Sequence, residues 1–105
     1  VDTLIVSAEL AKKITTKSSL DQATTVLLND VKTVVIVAKT RLILASAGRL
    51  INLETTEINP GDITKIGAWV VAGLVRAKQP DLARVLATAW QAISDKKYNL
   101  RETSL

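Results

Sequence analysis

Thr33-Val34-Val35-Ile36-Val37-Ala38-Lys39-Thr40-Arg41-Leu42-Ile43-Leu44-Ala45-Ser46 is the stretch whose conformation decides the fold. Two readings compete for it. Thr33 to Val37 is β-branched at every position, as a buried strand would be, because branched side chains pack well on a pleated surface. Lys39-Thr40-Arg41 would then be the turn into a second strand, yet no Gly, Pro, Asn or Asp stands there to make it. The helical reading draws on a longer pattern. Apolar residues recur every three or four positions through Leu20, Ala23, Leu27, Val31, Val34, Ala38, Leu42 and Ala45, which is one stripe of a helix. Ser19 with Gln22 three residues on forms a capping-box pattern at its start. Gly48 stands where a left-handed closing residue belongs. The spacing therefore predicts one helix over about 19–47, a rod of roughly 42 Å.

The flanks extend the helical reading. A first helix is expected over about 3–14, with Leu4, Ala8, Ala11 and Ile14 as its stripe. Leu50 to Ile58 reads as a connector. Asn59-Pro60-Gly61-Asp62 opens a third helix over about 60–78, since Pro is well placed in a first helical turn. Gln79-Pro80-Asp81 breaks the chain and starts a fourth over about 81–97, leaving a polar tail at 98–105. Short links between amphipathic helices favour antiparallel neighbours. The expected fold is thus all-α: one domain over 1–105, a mostly up-and-down four-helix bundle around a long central helix.

Composition narrows the chemistry. The chain has 105 residues, 48% hydrophobic and 23% charged, enough apolar material for a core rather than a disordered segment. Its net charge of +4 is mild and interspersed, so it permits an acidic partner without requiring one. Cys and His are absent. Disulfides, Cys/His zinc sites, thiol nucleophiles and imidazole bases are excluded with them. The apolar run Ile66 to Val75 is too short for a bilayer, which needs about 20 residues. No signal peptide is visible, and Val1 is not an initiator, so the chain reads as trimmed, processed or excised. No glycine-rich dinucleotide loop, phosphate loop or ExxH pair is present. No catalytic residue, metal site or cofactor is expected, and the chain does not read as an enzyme.

Two expected helices carry more apolar surface than one stripe requires. The long one has a back ridge of Val26, Val37 and Leu44, with Ile36 and Ile43 on an adjacent line. On the third, Val71 and Val75 widen one flank and Trp69 sits towards the back. Surplus apolar faces mark assembly surfaces. These eight residues are the expected self-association interface of a non-catalytic structural or scaffold subunit, part of a homo-oligomer, particle or filament. The alternative is a small nucleic-acid-binding or regulatory module, or an adaptor that accepts a partner helix. Its contacts would be Lys65, Trp69 and Arg76, where cations flank a ring that can stack on a base, together with the basic group Lys12, Lys13 and Lys17.

Overall fold

The computed structural model describes residues 3–76 and 78–104. Residues 77 and 105, assigned above to the third helix and the tail, lie outside the described residues, as do 1 and 2. The chain is an α/β protein, not a helical bundle. In order it forms β1 (Thr3–Ser7), α1 (Ala8–Thr15), α2 (Leu20–Leu27), β2 (Thr33–Val37), β3 (Arg41–Ser46), β4 (Arg49–Thr55), a 3-10 turn (Pro60–Asp62), α3 (Ile63–Arg76), α4 (Leu82–Ile93) and β5 (Tyr98–Ser104). One five-stranded sheet runs β1-β2-β3-β4-β5. β1 and β2 are parallel; every other pair is antiparallel.

The expected long helix is three elements. α2 ends at Leu27 with Leu28 as its C-cap, and Asn29 and Asp30 donate to the carbonyls of Val26 and Leu27 in a tightened last turn. Ser19 does precede α2, but its hydroxyl makes no capping bond. β2 and β3 follow. Their residues alternate between two cores. Val34, Ile36, Ile43 and Ala45 pack under α1 and α2 with Ala11, Ala23 and Leu27. Val35, Val37, Leu42 and Leu44 pack on the other face under α3 and α4, with Ile66, Val70, Leu86 and Trp90. A sheet covered on both faces has strands that are apolar throughout. Such a run holds apolar residues at every spacing, and so it also satisfies a helical template.

The turn between β2 and β3 exists without a marker residue, and a second turn follows β3. Ala38 N–H donates to the Arg41 carbonyl at 2.9 Å, and neither Lys39 nor Thr40 has positive φ. A turn of that kind has no need of glycine. Ala47 and Gly48 form the two-residue link between β3 and β4 with φ of 52° and 78°. Two left-handed residues make the hairpin turn whose twist suits a sheet. Gly48 therefore supplies its left-handed conformation to a hairpin and not to a helix end.

Other boundaries shift for similar reasons. Leu4-Ile5-Val6 is strand β1, and the first helix starts only after Ser7, whose Oγ accepts from Leu10 N–H. The expected connector is β4, with Leu50, Ile51 and Leu53 buried. The expected polar tail contains β5. α3 and α4 lie within the spans 60–78 and 81–97, and α4 is capped by Asp81 Oδ1 accepting from Arg84 N–H. Gly73 lets these two helices approach: a Cβ there would stand 2.9 Å from Val85 Cγ1.

Leu44 is fully buried at the centre of the sheet. Leu44→Ala should cost about 2–5 kcal/mol, read by urea unfolding through the emission of buried Trp90. A change below about 0.5 kcal/mol, the ordinary range for surface substitutions, would place the residue outside the core.

Candidate functional site

The eight residues assigned to self-association divide sharply. Ile36 and Ile43 are enclosed beneath α1 and α2, and Val37 and Leu44 beneath α3 and α4. These four are covered by the chain itself. The apparent surplus of a long helix is the ordinary requirement of a sheet with two covered faces. Val26 and Val71 are half-buried on α2 and α3. Trp69 and Val75, on the outer side of α3, are 44% and 70% exposed.

Trp69 and Arg76 line a groove of about 380 Å³ between α3 and α4, together with Ala72, Gly73, Arg84 and Val85. Lys65 is exposed on the same helix but does not line it. The second basic group lies elsewhere. Lys12 and Lys13 occupy the last turn of α1, and Lys17 the loop beyond it. α1 covers one face of the sheet and α3 the other, so the two groups do not form one cationic surface.

A second depression arises from the topology. β1 and β2 run parallel, and their carboxyl ends, Ser7 and Val37, lie side by side. Beyond them is a cleft of about 250 Å³ lined by Ser7, Ala8, Glu9, Val37, Ala38, Lys39, Ile58, Pro60 and Ile63. In open α/β sheets, ligands bind outside the carboxyl ends of the strands, because the connections diverge there and leave a crevice. The walls are mainly apolar, with Glu9 and Lys39 as charged members. The loop carrying Lys39 is held at its backbone. Ile58 N–H donates to the Lys39 carbonyl at 2.7 Å, and Thr55 N–H to the Thr40 carbonyl at 2.9 Å. The Lys39 ammonium makes no ion pair among the described residues. Asn59 Oδ1 accepts from Gly61 N–H at 2.9 Å and fixes the entry into α3.

Sequence reasoning did not single out Ser7, Glu9 or Lys39. They carry no motif, and they meet only because β1 and β2 are adjacent and parallel. Among the described residues, no three acidic side chains are gathered to hold a metal ion, and no helix is long and apolar enough to cross a membrane.

No family model matches the chain, and no curated protein matches it in sequence. Its fold does have a counterpart among solved structures. The crystal structure of a putative phosphofructokinase from Staphylococcus aureus superimposes with a TM-score of 0.72 over 96% of this chain, at 10% sequence identity. The match takes in 42% of that protein, so this chain spans less than half its length. At that identity the likeness is one of fold.

The two tryptophans test this placement directly. Trp90 is 2% exposed, with its Nε1 donating to the Lys96 carbonyl, whereas Trp69 is open. Acrylamide should quench wild-type emission in two classes, and Trp69→Phe should remove the accessible one. A single, fully accessible class remaining in Trp69→Phe would contradict the burial of Trp90.

Proposed function

We propose that this chain is a binding module for a phosphorylated small molecule, seated at the carboxyl ends of β1 and β2. The observation that carries the reading is the cleft at the end of the parallel pair, lined by the Lys39 cation, which makes no ion pair among the described residues. Apolar walls of Ala8, Val37, Ile58 and Ile63 suit a ring or the carbon face of a sugar, and a phosphate would meet Lys39. Glu9 would orient hydroxyl groups and keep the site from being a general anion trap. The structural neighbour is named a putative phosphofructokinase, and that name agrees with a phosphorylated ligand. The proposed role is binding, without a catalytic step.

Titration calorimetry with ATP and with fructose 6-phosphate tests the reading. At least one ligand should bind, and Lys39→Ala should weaken it about tenfold, the usual scale for one charge-assisted hydrogen bond. Backbone amide shifts should concentrate at residues 7–9 and 37–39. Absence of binding at millimolar ligand, or affinity unchanged in Lys39→Ala, would overturn it.

A second reading, self-association, is favoured by one feature. Ala68, Trp69, Ala72 and Val75 form an apolar ridge along the outer side of α3, with Ala68, Trp69 and Val75 exposed and Trp69 and Ala72 bordering the α3–α4 groove. On this reading the chain is a scaffold subunit whose copies meet through that ridge, with Trp69 as the aromatic anchor. Val75→Glu should then lower the sedimentation-average mass towards the monomer. A wild-type chain that is already monomeric at about 100 µM, where even weak specific contacts populate, would end this reading.

A further inference from the structure

We infer that the outer edge of β5 pairs antiparallel with the same edge of a second copy, in a register centred on Leu100, to give one continuous ten-stranded sheet. This edge is separate from the α3 ridge and does not depend on it. Among the described residues β5 is the last strand of the sheet, and it pairs with β4 over seven consecutive residues without a bulge. Asn99 to Ser104 are all exposed. Its outward N–H and C=O groups therefore form a regular, accessible row, which is a template for another strand. Proteins blunt such rows with Pro, Lys, bulges or a covering element. Tyr98–Ser104 contains no Pro and no Lys. Its two charges are drawn onto the chain's own sheet: Arg101 Nη2 bonds Glu54 Oε1 at 2.6 Å, and Glu102 lies 3.8 Å from Arg49.

The occupant follows from self-complementarity. A two-fold axis normal to the sheet keeps each face on its own side, so directly opposed residues must share a face. The pairing is then centred on a residue, and three centres leave most of the strand overlapped. Centring on Arg101 opposes two guanidinium groups and sets Leu100 against Glu102 of the other copy. Centring on Glu102 opposes two carboxylates. Like charges directly opposite are destabilising. Centring on Leu100 removes both conflicts. It sets Leu100 against itself, Asn99 against Arg101 and Tyr98 against Glu102. Leu100, 39% exposed in one copy, is thereby covered.

The absence of Cys makes the register directly measurable. Opposed Cα atoms in an antiparallel pair are about 4.5–5.5 Å apart, within disulfide range. Under mild oxidation, Leu100→Cys should form a covalent dimer at least about tenfold faster than the exposed control Thr56→Cys, because pairing raises the local thiol concentration. Asn99→Cys and Arg101→Cys should cross-link when mixed but not singly, since each is displaced from its own copy by two residues, roughly 8 Å. Trp90 emission verifies that each variant is folded. Cross-linking of Leu100→Cys at the control rate would overturn the proposal. So would faster self-cross-linking of Arg101→Cys or Glu102→Cys. Adding Val75→Glu to Leu100→Cys should leave the cross-linking rate unchanged, which separates this edge from the α3 ridge.

Discussion

Burial of β2 and β3 on both faces is the constraint from which the rest of the structure follows. Thr33–Val37 and Leu42–Ala45 are all buried, so neither face of the central sheet tolerates water. Each face must be covered, and the chain supplies one helical pair per face: α1 and α2 before β2, α3 and α4 after β4. The connections serve that coverage. β1 and β2 lie parallel because a helical pair intervenes and carries the chain back to the starting end of the sheet. β2, β3 and β4 are antiparallel because only short turns separate them. The sheet's far end needs less protection. There Arg41 Nη2 donates to Asn52 Oδ1 and to Asp21 Oδ1 of α2, and Arg101 Nη2 donates to Glu54 Oε1.

That arrangement decides where a ligand can sit. A parallel pair flanked by crossing helices opens a crevice at its carboxyl end, and here the crevice gathers Ser7 from the end of β1, Glu9 from the first turn of α1 and Lys39 from the β2–β3 turn. The backbone of the Lys39 loop is tied to the segment that leads into α3. The ammonium is thus presented from a fixed base towards the cleft proposed to take a phosphorylated ligand. The α3–α4 groove is of another kind. Gly73 permits a close crossing, and the ridge beside it exposes Trp69 and Val75, with Pro80 and Asp81 of the α3–α4 link at the groove's edge; exposed apolar side chains of this kind suit a protein surface better than a small molecule.

The legible parts of this fold were local. Pro60, Pro80 and Asp81 mark where helices begin because their effects act within one turn of chain. The apolar residues of the core were visible as apolar, but the partners they face were not. A continuous run such as Thr33 to Val37 fits a fully covered strand and a helix alike. The β-branching that favours a strand was outweighed by a longer periodic pattern that arose by joining α2, β2 and β3. Gly48 misled because a helix end and a hairpin use the same left-handed conformation. Ala38 to Thr40 misled because a turn with ordinary φ angles needs no marker residue. The cleft was not readable at all, since its lining depends on which strands are neighbours, and that is a long-range property.

The double-covered sheet is tested most directly by nuclear Overhauser effects across β2 and β3. The account predicts cross-strand contacts linking Val35 with Leu44 and Ile36 with Ile43, together with contacts from Ile43 to Ala23 or Leu27 and from Leu44 to the α3–α4 side. Sequential helical contacts at three-residue spacing through residues 33–46, with those cross-strand contacts missing, would contradict it.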